Sequence, residues 1–462
     1  MQRTLLWKIA LIGTVALLLQ IPVEMIRGLI AERKQARDGV IAEIARGSSE
    51  AQRIIGPVLF IPWTRRSAEA TVTTDDTGHS RTVRKEKVEH GHIALLPATL
   101  AVEGNIDLQQ KHRGIYTAQV YTLNATLRGH FELPPNPSLA EGPGSLVWGR
   151  AVLVLGIQDT RGIRDRVQID WDGAQLPLYP GGIDAAGAPS GIHAELGLLP
   201  MDKTSATHEF RIALSLLGTE RLDIVPVGGT TTVALSSAWP HPSFSGRILP
   251  DAGTRISGQG FSAQWRTSYF ATNLAQLHQR CVQSRQCEAF NQHSLAVSFV
   301  QPADLYQTVE RSVKYGFLFI GLTFAALFLF EVLKRLAIHP VQYALVGLAL
   351  AIFFLLLISL SEHLGFAAAF AIASASCVTL NGYYVGHVLK NMRRGVLFGL
   401  ALSVLYGLLY VVLRMEDHAL VMGSLLVFAC IASAMVATRR VDWYALGANP
   451  SGLGEPSVQK PA

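Results

Sequence analysis

Charge is scarce in this sequence, and its distribution indicates a membrane protein. Only 16% of the 462 residues are Asp, Glu, Lys or Arg, and 49% are hydrophobic. Four stretches, each about 20 residues long, contain no charged residue. A helix of that length crosses a hydrocarbon core of about 30 Å. They are residues 340–360, 364–385, 395–413 and 419–438. A fifth stretch, residues 316–333, contains only Glu331, so the C-terminal part predicts a membrane-embedded helical bundle.

Catalytic signatures are missing as well. The sequence has no Gly-x-Ser-x-Gly, no His-Glu-x-x-His, no Gly-x-x-x-x-Gly-Lys and no Cys-x-x-Cys, which argues against an ATPase, a zincin or a thioredoxin-like enzyme. We therefore predict no catalytic residues and no cofactor, and leave open whether the protein is an enzyme. The net charge of +6 comes without a long basic run, so no nucleic-acid partner is expected.

The connections between the apolar stretches predict the orientation. Basic residues occupy alternate connections: Lys334, Arg335, Lys390, Arg393, Arg394, Arg439 and Arg440. By the positive-inside rule these connections are cytoplasmic. The other connections, with Glu362 and His363 and with Arg414, Glu416, Asp417 and His418, then lie outside.

The N-terminal segment predicts one further span. Residues 5–26 are apolar apart from Lys8, Gln20 and Glu24. A cleaved signal peptide is the alternative, but residues 17–23 contain no small-x-small cleavage site, so we favour an uncleaved anchor. The predicted protein has six transmembrane helices, one N-terminal and five C-terminal, with both termini cytoplasmic. Its predicted parts are an anchor (1–26), a periplasmic domain (27–311), a five-helix bundle (312–440) and a disordered tail (441–462).

The external domain has mostly strand-like patterns. Residues 33–55 have a weak helical signature that ends at Gly56 and Pro57. Residues 70–74 and 82–94 flank the turn-forming residues 75–78 and predict a hairpin. Further strands are predicted at 58–63, 115–127, 146–157, 207–217, 230–235 and 295–299, and a weak helix at 264–280. These patterns predict a β-sandwich or a twisted antiparallel β domain.

Two of the four cysteines, Cys281 and Cys287, fall in this external domain. An oxidising compartment would permit a disulfide between them, closing a short loop. Two unpaired thiols remain the alternative, because sequence does not give the geometry that a disulfide requires.

Several ordered segments resemble the CreD family of bacterial inner-membrane proteins. In the external domain they are residues 52–62 (QRIIGPVLFIP), 113–116 (RGIY) and 239–246 (WPHPSFSG). In the membrane part they are 311–315 (RSVKY), 338–343 (IHPVQY), 360–365 (LSEHLG) and 438–444 (TRRVDWY). The resemblance implies an inner-membrane location and a role in cell-envelope integrity and envelope-stress responses. It implies no reaction, ligand or catalytic residue.

One polar cluster is the best candidate site in the membrane part. If the two outer connections pack side by side, a set of carboxylates and imidazoles would converge that could bind a divalent metal or shuttle protons: Glu362, His363, Glu416, Asp417 and His418. The simpler interpretation is that these charges mark helix ends in water, since ionisable residues count as functional by default only inside the membrane.

In the external domain the candidate binding residues are Trp239, His241, Phe244 and Arg113. Exposed aromatic residues beside turns can hold a peptide or glycan, whereas buried ones anchor the corner of a sandwich. In the membrane part, small residues recur every four positions at Gly395, Gly399, Ser403 and Gly407, which predicts close helix packing.

The sequence therefore predicts an inner-membrane protein that supports envelope integrity. Its expected partners are the lipid bilayer and an envelope protein, lipid or glycan bound by the periplasmic domain. The alternative is a membrane-embedded enzyme or transporter that uses the outer-face carboxylates and histidines.

Overall fold

The structure is a computed structural model that describes residues 2–74, 80–133, 144–165, 167–199, 206–299, 305–334, 338–414 and 419–439. The chain divides into two compact units. The membrane unit comprises Met1–Arg37 and Ala303–Ala462, and the β unit comprises Asp38–Pro302. The predicted limits of the periplasmic domain, 27 and 311, mark where the chain is expected to leave and re-enter the membrane. The two compact units do not define that boundary, so these limits stay a prediction.

The described residues form two N-terminal helices, then strands with three short helices among them, and then six C-terminal helices. The helices are α1 (Gln2–Leu18), α2 (Gln20–Gly47), α3 (Tyr269–Thr272), α4 (Leu274–Ser284), α5 (Glu288–Asn291), α6 (Leu305–Lys314), α7 (Gly316–Lys334), α8 (Pro340–Leu364), α9 (Phe366–Val388), α10 (Met392–Arg414) and α11 (Ala419–Thr438). The strands are β1 (Gln52–Thr74), β2 (Ser80–Leu95), β3 (Thr99–Arg113), β4 (Tyr116–Leu133), β5 (Ser145–Trp148), β6 (Ala151–Ile157), β7 (Gln168–Trp171), β8 (Ala174–Gln175), β9 (Leu178–Pro180), β10 (Gly191–Gly197), β11 (Ala206–Thr219), β12 (Arg221–Val225), β13 (Thr230–Ser237), β14 (Ser243–Gly246), β15 (Arg255–Ser257), β16 (Gly260–Ser268) and β17 (Leu295–Ser298).

Four described helices are long and apolar enough to cross a membrane. They are Trp7–Gly47, which includes most of α1 and all of α2, and then α8, α9 and α10. Helices α6 and α7 meet at a bend of 42° and would add a fifth span if they act as one. Within α11 the apolar segment Gly423–Ser433 is shorter. The predicted helical membrane part is confirmed in this form, and the count of six spans stays a prediction.

Helices α9 and α10 pack closely where glycines of the two helices face each other. A Cβ placed on Gly395 would lie 2.5 Å from the Gly382 carbonyl oxygen and 2.5 Å from the Gly386 Cα. A Cβ on Gly407, one turn beyond Ser403, would meet nothing within 4 Å. The predicted small-residue stripe therefore makes its closest contact at its N-terminal end, because the facing helix also has glycines there.

The β unit is a sandwich of two sheets. The nine-stranded sheet has the order β14-β17-β12-β1-β6-β10-β9, with β2 and β5 also paired to β1. The eight-stranded sheet has the order β15-β16-β13-β3-β4-β11-β7-β8. One hydrophobic core joins them, with Leu59 and Leu153 from the first sheet and Tyr121 and Leu216 from the second all fully buried. The β1–β12 and β3–β13 pairs are parallel.

The hairpin prediction is confirmed, since β1 and β2 pair antiparallel from Leu59↔Leu95 to Thr74↔Ser80. Its turn, residues 75–78, lies outside the described residues. The predicted helix at 33–55 is wrong at its end, because α2 stops at Gly47 and Gln52 begins β1. The predicted helix at 264–280 is also wrong at its start. Buried Trp265 there continues the alternation of strand β16.

The disulfide that the sequence left open is formed between Cys281 and Cys287. It links the last turn of α4 to the residue before α5. Cys281 is buried, and Phe290 of α5 belongs to the same sandwich core, so the crosslink fixes a short helical segment against the sheet.

Candidate functional site

Glu362, the first member of the predicted outer cluster, is held by residues from two other helices of the membrane unit. It accepts a hydrogen bond of 3.0 Å from the Tyr306 hydroxyl in α6. The Arg33 Nε of α2 lies 4.0 Å from the same carboxylate oxygen, and the Glu362 side chain is only 9% exposed. The Arg37 guanidinium lies over the Tyr306 ring, 5.4 Å from its centroid. Glu362 is therefore a partnered carboxylate at a helix junction.

The rest of the predicted cluster is only partly placed. His363 is exposed. Glu416, Asp417 and His418 lie outside the described residues, so their convergence with Glu362 stays a prediction. Among the positions that the structure describes, no group of three or more His, Cys, Asp or Glu side chains could hold a metal ion.

A second carboxylate, Glu331, lies buried in the membrane unit. It forms an ion pair with Lys8 of α1. Its other contacts come from the Ile338 backbone N–H at 3.1 Å and the Tyr343 hydroxyl at 2.9 Å. Glu331 thus connects α1, α7 and the start of α8. Its spacing in the sequence also predicts a helical pair with Lys334 and Arg335, whose side chains lie outside those that the structure describes, so that pair stays a prediction.

The predicted aromatic binding stretch is anchored in the β unit. Trp239 and Phe244 are half-buried and pack against the sandwich core. The Trp239 indole N–H donates to the His241 carbonyl oxygen at 2.9 Å, and the Phe244 ring lies edge-on to Trp265 at 5.5 Å. His241 is exposed. These contacts give the two aromatic side chains a structural task, while the predicted binding role stays a prediction.

Arg113, the fourth predicted binding residue, ends strand β3. Its guanidinium forms a 2.6 Å ion pair with Glu43 of α2, and both side chains are about half exposed. A pair so open to water contributes little stability, about 1 kcal/mol at most. Gly114 follows with φ +63, where an L side chain would be strained.

A polar groove on the outer face of the eight-stranded sheet is a feature that the sequence analysis missed. Five polar residues on five neighbouring strands are directly paired across the sheet. We name them the serine–asparagine row: Ser262, Ser236, Asn105, Asn124 and Ser215. The row forms the floor of an open groove of about 680 Å³, with Glu103, Asp165 and Gln168 among its other lining residues.

Hydrogen bonds fix four of the five side chains of the row. The Ser236 hydroxyl donates to Asn105 Oδ1 at 3.2 Å, and the Ser215 hydroxyl donates to Asn124 Oδ1 at 2.9 Å. Both amide groups donate to Asp107, at 3.1 and 3.4 Å. Period-two alternation predicts which face of a strand is polar, but the row exists only because of long-range pairing, which no local pattern reveals.

A charged junction secures the chain where α2 leads into the β unit. Arg161 makes a two-pronged contact with Asp159, with distances of 2.9 and 2.7 Å. This hydrogen bonding, helped by the Glu50 and Arg161 backbone N–H groups, lowers the pKa of Asp159 to about 2. Gln52 is fully buried beside it and donates to the Leu217 and Asp159 carbonyl oxygens at 2.9 and 2.8 Å.

A second carboxylate of the β unit is held in the same way. Burial opposes the ionisation of Asp223, but hydrogen bonds from Arg221 and Ser294 outweigh it and lower the pKa of this carboxyl. The Arg221 guanidinium contacts it at 2.8 and 2.9 Å and the Ser294 hydroxyl at 2.8 Å.

These features define a multi-pass helical membrane protein with a large β-rich domain inserted after its N-terminal helix. The chain belongs to the CreD family: residues 4–444 match the family described as inner membrane protein CreD. The inner membrane protein CreD of Escherichia coli (strain K12) is 37% identical over 447 residues, which cover 96% of this chain and 95% of that protein. The resemblance predicted from the sequence is therefore confirmed, and with it a multi-pass location in the inner membrane.

Solved structures add no functional argument. An M1 zinc metallopeptidase from Deinococcus radiodurans aligns with 44% of this chain and 42% of its own, at 9% identity and a TM-score of 0.19. A putative nutrient binding protein from Legionella pneumophila aligns with 49% of this chain and 76% of its own, at 10% identity and a TM-score of 0.23. Scores this low establish neither a shared fold nor a shared activity.

Proposed function

We propose that this CreD-family protein supports the integrity of the cell envelope by binding a glycan component of the envelope in the groove of its β unit. In this proposal the β unit is periplasmic, six helices cross the inner membrane, and both termini are cytoplasmic. The helical bundle tethers the binding domain to the membrane. The observation that carries the proposal is the serine–asparagine row at the floor of a groove of about 680 Å³.

The chemistry of the row suits a neutral, hydroxyl-rich ligand. Serine hydroxyls and asparagine amides each offer both donors and acceptors, and no member of the row is charged. Existing hydrogen bonds hold four of the five side chains in place, which reduces the conformational entropy lost on binding. Each amide keeps further donor and acceptor capacity for sugar hydroxyls.

The direction of the row favours a glycan over a peptide. Neighbouring strands lie about 4.8 Å apart, so five strands give a row of roughly 20 Å across the sheet. An extended peptide gains main-chain hydrogen bonds at a sheet edge, whereas a ligand lying across a sheet face meets side chains only. A chain of sugar rings needs only such side-chain contacts.

Binding of soluble cell-wall glycan strands to the full chain in lipid nanodiscs tests this function, measured by calorimetry. We expect Asn105→Ala combined with Asn124→Ala to weaken binding at least tenfold, about 1.4 kcal/mol. Gln264→Ala is the matched control, because it removes an exposed amide from the same sheet face outside the groove. Absence of binding by the unmodified protein, or equal loss in the control, would contradict the proposal.

A further inference from the structure

A second groove, of about 540 Å³, lies within the membrane unit between the start of α1 and the start of α8. Trp7, Leu11 and Ile338 contribute apolar surface to it, and Lys8, Thr14 and His339 contribute polar groups. Trp7 is 73% exposed, the position typical of an aromatic residue at a membrane–water interface.

The ammonium of Lys8 has unused hydrogen-bonding capacity in this groove. An ammonium group has three donors, and the Glu331 carboxylate is the partner that Lys8 has among the residues described. The Lys8 side chain is 27% exposed. Lys8 and Glu331 balance each other's charge, and the ammonium still has N–H donors beyond the one that contacts Glu331.

His339 adds a donor in the same groove. Its Nδ1 accepts from the Val341 backbone N–H at 3.3 Å, so the neutral ring carries its proton on Nε2. The donors of Lys8 and His339 in the groove suit the oxygens of a phosphate group, and its apolar residues favour hydrocarbon. One molecule with both parts is an anionic phospholipid.

We propose that this groove binds an anionic phospholipid, with the phosphate of the headgroup at Lys8 and His339 and an acyl chain against Leu11 and Ile338. The proposal requires only that the helical unit is membrane-embedded and does not depend on the glycan groove. The phosphate oxygens of a bound lipid would accept hydrogen bonds from the remaining Lys8 donors, and basic residues near the membrane surface attract anionic headgroups.

Trp7 provides a direct readout of occupancy. Five of the seven tryptophans belong to the β unit, and Trp443→Phe leaves Trp7 as the reporter in the membrane unit. The full chain with this change is titrated in detergent with brominated phosphatidylglycerol or brominated phosphatidylcholine, whose bromines quench nearby indole fluorescence. We expect half-maximal quenching at a tenfold or lower mole fraction of the anionic lipid, with no effect of added inorganic phosphate.

Two variants separate charge from shape. Lys8→Gln removes the cation and is expected to abolish the preference for the anionic lipid, whereas Arg393→Gln, which removes a cation at the start of α10, leaves it unchanged. Thr14→Phe fills the groove without touching Lys8 or Glu331 and is expected to weaken quenching by both lipids, which keeps the proposal testable if Lys8→Gln fails to fold. Equal quenching of the unmodified reporter protein by the two lipids, quenching that Thr14→Phe leaves undiminished, or loss of the anionic preference on addition of inorganic phosphate would overturn the proposal.

Discussion

The carboxylate of Glu331 and the ammonium of Lys8 form an ion pair between residues 323 positions apart in the sequence. The pair joins α7 to α1, and the Tyr343 hydroxyl adds α8 to the junction. The N-terminal helix is thus a packed member of the helical bundle in addition to being an anchor. Charged side chains inside apolar helices are costly unless paired, which explains why these two meet.

Removing each partner of this pair should have unequal effects on stability. Lys8→Met removes the lysine that pairs with the Glu331 side chain, which is 6% exposed, and is expected to cost about 3 kcal/mol of unfolding free energy. Glu331→Gln leaves a lysine that can still reach water and is expected to cost about 1 kcal/mol. Thermal unfolding of the purified protein in detergent measures both, and equal losses would contradict this asymmetry.

Alanine at two glycines of α10 should separate close packing from helix propensity. Gly395→Ala forces a Cβ to within 2.5 Å of the α9 backbone and is expected to cost about 1 to 3 kcal/mol. Gly407→Ala meets nothing within 4 Å and is expected to be neutral or mildly stabilising, because alanine favours helix. Melting temperatures of the two variants give the comparison, and a larger loss at 407 would refute the packing.

Acid should destabilise the β unit through Asp159 and Asp223. The pKa of each carboxyl is lower in the folded state than its ordinary value of 3.8, so each contributes stability that is fully present above that pH. This contribution is lost as the pH falls toward about 2, the folded pKa of Asp159. Tryptophan fluorescence during denaturant unfolding checks this, and Asp159→Asn should flatten the decline between these values. An unchanged pH profile in that variant would contradict the assignment.

Local sequence patterns predicted individual helices and strands better than they predicted which strands pair with each other. Long uncharged stretches predicted α8, α9 and α10, and period-two alternation predicted β4, β11 and β13, because each signal is contained within a single segment. The polar strand β3 was missed, since its core face offers few apolar residues beyond Leu100, Val102 and Ile106. Because β3 was not predicted, its pairing with β13 and β4, which forms the serine–asparagine row, could not be predicted either.

The Lys8–Glu331 ion pair was also not predicted, because it joins residues that are far apart in the sequence. Helical spacing points from Glu331 to Lys334 and Arg335, three and four positions on, and gives no indication of its partner Lys8, which is 323 positions away. Lys8 and Glu331 are each a charge within an otherwise apolar segment, and this shared anomaly was the available signal.

The outer-face cluster can be tested against the glycan groove. We expect a variant with Glu362, His363, Glu416 and Asp417 all changed to Ala to rescue a strain lacking the protein as well as the unmodified chain does under envelope stress. Membrane levels must be matched, because losing the Tyr306–Glu362 hydrogen bond is expected to cost about 1 kcal/mol. Loss of rescue with normal folding would favour a membrane enzyme or transporter, and a metal assay on the purified protein would follow.

The most direct test of the central claim is rescue of the same strain by the variant combining Asn105→Ala and Asn124→Ala. These substitutions leave the sandwich core intact, because both side chains lie on the exposed face of the sheet. We predict that this variant fails to restore growth under envelope stress, while Gln264→Ala restores it fully at the same membrane level. Full rescue by the groove variant would contradict glycan binding in this groove as the basis of the protein's function.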